Sequence, residues 1–127
     1  MDKKIISTAA LLGASAIILG AFGAHALKKV LTDSQLITFE TGVKYQMYHA
    51  LFLLFVGFST SISVKAKQII YYCVLTGVLF FSGSIYLLAT DELNSFNFKT
   101  IGFVTPIGGF LLIIGWFWLF VDFYRKK

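Results

Sequence analysis

The sequence predicts an all-α integral membrane protein, a bundle of four transmembrane helices with a short interfacial helix between helices 1 and 2. A hydrocarbon core about 30 Å thick needs about 20 residues at a rise of about 1.5 Å each. Four uncharged stretches meet that length: Ile5–Leu27, Tyr45–Val64, Gln68–Thr90 and Thr100–Val121. Charged residues make up 13% of the 127, against about 25% in soluble domains. We therefore expect one transmembrane domain over residues 1–127.

The basic residues predict how the chain is oriented. Those on one predicted side of the membrane outnumber those on the other: Lys3, Lys4, Lys65, Lys67, Arg125, Lys126 and Lys127 against Lys28, Lys29, Lys44 and Lys99. Because Lys and Arg favour the cytoplasmic side, we expect both termini in the cytoplasm and the protein in a bacterial inner membrane. The net charge of +5 does not indicate nucleic acid, since no continuous basic face is formed.

The first span is rich in small residues. Ala9 and Gly13 are four residues apart, as are Ala16 and Gly20, and such spacing lets another helix backbone approach closely. Whether these faces pack inside the protomer or between protomers stays open. The start of the chain imitates a secretory signal, but its apolar run exceeds the usual core of about 7–15 residues, so we expect a retained helix. We assign helix packing to Gly13, Gly20, Gly23, Gly83, Gly108 and Gly109.

The connection between the first two spans, residues 28–44, has helical features. Thr32-Asp33-Ser34 offers an N-cap, and apolar residues then recur at helical spacing. Glu40 and Lys44 are placed for an i,i+4 ion pair. We predict a short interfacial helix here, with Gly42 supplying a bend into span two.

The remaining connections are short. Lys65-Ala66-Lys67 predicts a tight hairpin between spans two and three. The acidic start of Asp91–Lys99 precedes a partly irregular or interfacial segment, Phe96–Val104. Because proline suits the first helical position and threonine can cap it, span four is predicted to begin at Thr105-Pro106.

Aromatic and charged residues mark the end of span four. Trp116 and Trp118, with Tyr124, are predicted to form an aromatic belt near the cytoplasmic boundary. Asp122 lies beside Arg125 at this end and is predicted to form an ion pair with it. A proton relay is the less favoured alternative.

Polar side chains within the predicted spans cluster in their outer halves. Polar groups in lipid are costly, which makes them candidate functional residues. In a compact bundle they would line one outward-facing polar pocket that could bind a ligand: His25, Glu40, Tyr45, Gln46, His49, Ser82, Ser84 and Thr105.

Several chemistries could use such a pocket. The two histidines with Glu40 could form a two-His-one-carboxylate metal site, and His25 with His49 could ligate haem. Neither pair has a close ligand spacing, so hydrogen bonding between helices is favoured, with pH sensing as a smaller alternative. Ser84 is not set in a nucleophile elbow, and Cys73 is read as a small buried hydrophobe. We expect no catalytic residue, metal or cofactor.

Four ordered segments carry a family resemblance: Gly20–Leu27, Tyr45–Leu51, Phe81–Tyr86 and Thr105–Gly109 followed by Gly115-Trp116. They resemble motifs of the domain-of-unknown-function 423 family over essentially the whole chain. The resemblance implies a small, multi-spanning membrane protein without an assigned reaction. Its segments coincide with the predicted outer pocket.

Two functions remain as hypotheses. The first is a non-enzymatic accessory or assembly subunit of a larger membrane complex, in contact with membrane lipid and with a protein partner or further copies of itself. The alternative is a small-molecule or lipid-binding protein, or a transporter, that uses the outer pocket.

Overall fold

The computed structural model describes residues 1–89 and 103–126. Within these residues the secondary structure is entirely helical, which confirms the predicted class. The helices are α1 (Asp2–His25), α2 (Asp33–Phe58), α3 (Val64–Ala89) and α4 (Val104–Tyr124), with a 3₁₀ turn at Leu27–Lys29 after α1.

Each helix runs antiparallel to the next. Gly13 on α1 lies against Ala50 on α2, whereas Gly57 near the end of α2 lies against Ile6 near the start of α1. Ser82 on α3 reaches the Gly42 carbonyl on α2. α4 is also antiparallel to α3, because Gly108 lies against Phe81 whereas Gly115, further along α4, lies against Val74, earlier on α3. The start of α1, the end of α2, the start of α3 and the end of α4 therefore share one end of the bundle.

Helix length and hydropathy support transmembrane helices. Three helical segments are long and apolar enough to cross a membrane: Asp2–Lys29, Val64–Ala89 and Val104–Tyr124. α2 is not among them, although its 26 residues span about 39 Å at about 1.5 Å each. It carries Glu40, Lys44 and Gln46, which lower its hydropathy. A membrane-spanning α2 stays a prediction.

α2 is one continuous helix, and this corrects the predicted short interfacial helix with a bend at Gly42. The N-cap prediction is confirmed: Gln35 N donates to Thr32 Oγ1 at 3.1 Å and Thr32 N donates to Gln35 Oε1 at 2.9 Å. Gly42 remains helical because α3 packs onto it. A Cβ atom at Gly42 would lie 2.7 Å from a ring carbon of Tyr86. The glycine serves close packing between α2 and α3.

The helix boundaries differ from two predictions. The α2–α3 connection is residues 59–63, so Lys65-Ala66-Lys67 forms the first turn of α3 instead of a hairpin loop. α4 begins at Val104, ahead of the predicted start, and Pro106 fits there because the first four N–H groups of a helix lack intrahelical partners. The predicted connection Asp91–Lys99, most of Phe96–Val104, and Lys127 lie outside the described residues.

The core is one apolar layer with a smaller cluster at the far end. Leu53, Val56, Ile70 and Val74 have 0% exposure in the main layer. The smaller cluster is built around Leu27, Leu31, Phe39 and Ala89. One set of small residues on α1 lies inside the bundle: Ala9 and Ala16 are buried, and Gly20 and Gly23 pack against Val43 and Phe39 of α2. This face of α1 therefore packs inside the protomer.

α3 and α4 approach each other backbone to backbone. A Cβ atom on Gly108 would overlap the Phe81 backbone nitrogen, and one on Gly77 would lie 2.8 Å from Leu112. Gly109 makes an ordinary contact with the Phe81 ring. Gly83 differs from the prediction, because a Cβ atom there would meet nothing within 4 Å. Gly77 takes the packing role on α3 that the sequence suggested for Gly83.

Two predicted ion pairs are wrong. Asp122 pairs with Lys126, at 3.9 Å, in place of Arg125, and it also accepts a hydrogen bond from Ser63 Oγ at 2.8 Å. Asp122 thus ties the end of α4 to the start of α3. Among the described residues, Glu40 and Lys44 do not form an ion pair.

Candidate functional site

Gln46 connects three helices. Its side-chain nitrogen donates to the Leu12 carbonyl at 2.9 Å and to Ser15 Oγ at 2.7 Å, both on α1. Its side-chain oxygen accepts a hydrogen bond from the Tyr86 hydroxyl of α3 at 2.7 Å. Gln46 is 5% exposed, so a buried amide on α2 fixes α1 and α3 around it.

His49, one helical turn further along α2, faces α4. Its Nδ1 lies 2.7 Å from the Tyr45 carbonyl, and its Nε2 lies 3.0 Å from Trp116 Nε1. An indole N–H can only donate, so Nε2 accepts and the proton of the neutral ring is assigned to Nδ1. The Trp116 ring stacks on Phe52 with centroids 3.9 Å apart. Both imidazole nitrogens are therefore occupied within the bundle.

Two serines bond the second half of α3 to its neighbours. Ser82 is 1% exposed, and its hydroxyl donates to the Gly42 carbonyl at 2.8 Å. Ser84 Oγ bonds to Phe81 O and to Thr105 Oγ1 of α4. Thr105 thus bonds across to α3 and does not cap α4 as predicted. Serine hydroxyls that bond backbone carbonyls and neighbouring helices are typical of membrane helices.

The structure does not bring all the predicted pocket residues together. His25 ends α1 with its side chain exposed, and Glu40 lies on the exposed side of α2. They were grouped with the other polar residues by their predicted depth, but the rotation of their helices points both side chains away from the bundle interior. In place of one shared pocket, the structure shows paired contacts around Gln46, His49, Ser82, Ser84 and Thr105. Ligand binding by these residues stays a prediction.

An apolar cleft lies beside these contacts, between α2, α3 and α4. It has a volume of about 320 Å³. Tyr45 is 40% exposed at its edge, and its ring lies 4.9 Å from that of Phe81. The remaining wall is largely apolar and includes Gly109, Leu112, Ile113 and Trp116, with the edge of His49. Such a cleft can take an apolar molecule.

The arrangement does not favour the metal or haem chemistries. No group of three His, Cys, Asp or Glu residues able to hold a metal occurs in residues 1–89 and 103–126. His49 has no free nitrogen, and His25 faces outward. Every buried side-chain nitrogen or oxygen in the described chain has a hydrogen-bond partner. What these groups do chemically is to bond helices to one another.

Sequence reasoning missed several partners. Ser15 and the Leu12 carbonyl lie on a face of α1 read only as small-residue packing, and Trp116 was assigned to an aromatic belt. The signal for Ser15 was a lone hydroxyl amid apolar residues. A second polar layer at the opposite end was also missed, where Thr8 bonds Tyr71 at 2.8 Å and Lys4 donates to the Tyr72 hydroxyl at 3.1 Å.

The fold and its interhelical hydrogen bonds define a small helical membrane protein. The chain belongs to the DUF423 family, described as a protein of unknown function, whose family model matches residues 19–109. This confirms the resemblance seen in the sequence. The matched segment contains Gln46, His49, Ser82, Ser84 and Thr105.

Curated relatives cover nearly the whole chain. A UPF0382 membrane protein of Staphylococcus aureus is 39% identical over 97% of both chains. A UPF0382 membrane protein of Haemophilus influenzae is 37% identical over 100% of this chain and 98% of its own. The UPF0382 membrane protein YwdK of Bacillus subtilis is 35% identical over 94% of both. No solved structure matches the chain significantly.

Proposed function

We propose that this protein is a non-enzymatic accessory or assembly subunit of a larger membrane complex. The observation that carries the proposal is the pairing of its buried polar side chains. Gln46, His49 and Ser82 each bond a neighbouring helix, so the residues that looked most like a reactive site are used in holding the bundle together. Because these polar groups are used inside the bundle, a partner would bind the outer surface of the helices.

The same proposal includes a four-span topology in a bacterial inner membrane. α2 completes the fourth span because its two buried polar side chains are satisfied within the bundle: Gln46 by α1 and α3, and His49 by α4. Both termini lie in the cytoplasm, since the end of the bundle where α1 begins and α4 ends carries more Lys and Arg than the other end.

The outer face of α1 is the surface at which we aim the test. Six exposed residues follow alternating steps of three and four along it: Ser7, Ala10, Ala14, Ile17, Ala21 and Ala24. That spacing keeps residues on one side of a helix, and five of the six are small. Small side chains let a partner helix approach closely in lipid, which supports a helix of another subunit or of a second copy on this face.

The experiment is native mass spectrometry of the full chain after mild detergent extraction. Wild-type protein is expected in an assembly of defined mass, and Ala14→Leu is expected to release the protomer because a bulky side chain separates the helices. Ile18→Leu, a volume-conserving change at a neighbouring exposed position, serves as the control. A lone protomer in every mild detergent, or an assembly indifferent to Ala14→Leu, would count against the proposal.

The cleft beside His49 favours a second candidate function, the binding of a small apolar molecule or its transport. Gly109→Leu places a bulky side chain in this cleft, and its Cβ atom would lie 3.6 Å from the Phe81 ring, an ordinary contact. Organic extraction and mass spectrometry of the purified protein would show a co-purifying molecule in the wild type and not in the variant. Retention of assembly in Gly109→Leu separates this function from the first.

A further inference from the structure

A basic pocket lies at the end of the bundle where α1 begins, α2 ends and α3 begins. It encloses about 560 Å³. This is the end opposite the contact between Ser84 and Thr105. Its wall combines charged, hydroxyl and apolar side chains, among them Asp2, Lys3, Phe58, Ser59, Thr60 and Lys67.

Lys67 is the unusual member of this wall. Its side chain is only 7% exposed, and a buried ammonium is costly unless it is paired. An ammonium has three donor hydrogens, yet the described residues give Nζ one bond, to Asp2 Oδ1 at 3.0 Å. Asp2 is 60% exposed, so its carboxylate can move aside. Lys67 thus has donor capacity available to a ligand in the pocket.

A second concavity continues from the pocket along the outer side of α2. It has a volume of about 440 Å³ and is lined by Leu51, Leu54, Phe55, Phe58 and Ser59. Phe58 and Ser59 line both spaces. From Phe58 back to Leu51 the groove follows the helix for about 10 Å, at about 1.5 Å per residue. It therefore leads from the helix ends toward the middle of the membrane.

We infer that the basic pocket and this groove together bind one anionic phospholipid. Its phosphate lies at Lys67 and Lys3, where charged donors form stronger hydrogen bonds than neutral ones. One acyl chain lies along Phe58 and Phe55. This arrangement matches a phospholipid: the lysines lie at the helix ends, where the phosphate would be, and the apolar side chains lie further along α2, where the acyl chain would be. This binding goes beyond the accessory role and does not depend on it.

Asp2 acts as the competitor of the ligand. In the unliganded protein its carboxylate occupies Lys67 Nζ, and a phosphate takes its place when the lipid enters. A zwitterionic lipid carries a compensating cation in its headgroup and gains less from this exchange. Removal of the Asp2 charge is therefore expected to tighten binding of the anionic lipid, whereas removal of the Lys67 charge weakens it.

The experiment titrates the purified full chain in detergent with phosphatidylglycerol and with phosphatidylcholine of the same acyl chains, followed by native mass spectrometry. Wild-type protein is expected to bind phosphatidylglycerol about tenfold more tightly. Lys67→Gln is expected to remove that preference, and Asp2→Asn to increase it. Lys29→Gln, in the 3₁₀ turn after α1 at the opposite end of the bundle, is the matched control and should retain the preference.

Two further measurements keep the result interpretable. Lys3→Gln, at an exposed position, also weakens binding without touching the buried ion pair, so it reports even where Lys67→Gln fails to fold. Leu51→Trp obstructs the groove and is expected to weaken a long-chain lipid more than a short-chain one.

Four outcomes would overturn the inference. Three are equal affinity for both lipids, full binding by a folded Lys67→Gln protein, and release of the lipid by millimolar inorganic phosphate. The last outcome would assign the pocket to a soluble phosphate compound. A purely structural Asp2–Lys67 ion pair predicts that Asp2→Asn leaves lipid affinity unchanged, and that result would also reject the site.

Discussion

Trp116 and His49 join α4 to α2 through a single hydrogen bond, from the indole Nε1 to the imidazole Nε2 at 3.0 Å. The imidazole can accept this bond because its other nitrogen donates to the Tyr45 carbonyl. Protonation of Nε2 would put a hydrogen on the accepting nitrogen. The contact therefore requires a neutral histidine, and it positions one wall of the cleft between the two helices.

Replacement of His49 tests the value of that contact. His49→Phe retains an aromatic ring but leaves the Trp116 N–H without an acceptor, and an unsatisfied buried donor costs about 1–3 kcal/mol. We expect the free energy of unfolding in detergent to fall by about that amount. His25→Phe, at an exposed position, should leave it unchanged. Equal thermal midpoints for the two variants would contradict the assigned role of His49.

Replacement of Gln46 tests the connection between three helices. Gln46→Leu removes its bonds to Leu12, Ser15 and Tyr86. Interhelical hydrogen bonds in membranes average about 0.6 kcal/mol each, so a loss of about 2 kcal/mol is expected. Steric trapping or detergent unfolding would measure it, with the exposed Gln68→Leu as control. A Gln46→Leu protein as stable as wild type would show that these bonds are energetically minor.

The helix crossing of α3 and α4 can be tested by paired glycine substitutions. Gly108→Ala places a Cβ atom into the backbone of Phe81, and overpacking of this kind costs about 1–3 kcal/mol. Gly83→Ala meets nothing within 4 Å and is expected to be neutral or slightly stabilising, since alanine favours helix. Circular dichroism during heating gives both values. The reverse order of stability would refute the crossing geometry.

The proposed orientation predicts which residues a membrane-impermeant reagent can label from each side of the membrane. In a Cys73→Ala background, Lys28→Cys should react with a membrane-impermeant maleimide from the outer side. Lys126→Cys should react only after the cells are opened. Intact membranes and permeabilised membranes provide the comparison. Labelling of both cysteines from the same side would exclude the four-span topology with both termini in the cytoplasm.

Local signals in the sequence predicted local structure well. Thr32 and Gln35 form a capping box because both partners lie within one helical turn. The uncharged stretches located α1, α3 and α4 to within a few residues, whereas α2 begins at Asp33, well ahead of the predicted Tyr45. Gly42 shows where local reasoning failed. Low helix propensity predicted a bend, but Tyr86 and Ile85 pack onto the glycine, and this contact depends on a helix more than 40 positions away.

The sequence predicted which polar residues of the candidate site lie at a similar depth, but it did not predict which of them form hydrogen bonds with each other. Ser82, Ser84 and Thr105 were expected at one level of the membrane, and the structure bonds Ser84 to Thr105. Helix rotation decides which neighbours actually meet, and a weakly amphipathic membrane helix does not encode that rotation in its hydropathy. His25 was therefore grouped with residues it does not touch. Trp116, the hydrogen-bond partner of His49, was missed because tryptophan near the end of a membrane span is typical of the membrane–water interface.

The polarity of α2 has a consequence for how the protein is made. The Gln46 amide of this helix finds its partners on α1 and α3, and the His49 Nε2 atom finds its partner on α4. Emerging alone from the ribosome, α2 would partition poorly from a translocon channel into lipid. In the proposed four-span topology, integration is expected to be cooperative, with α2 retained beside α1 until the later helices arrive. A truncated nascent chain that ends after α2 should remain accessible to protease, whereas the full-length chain should become protected.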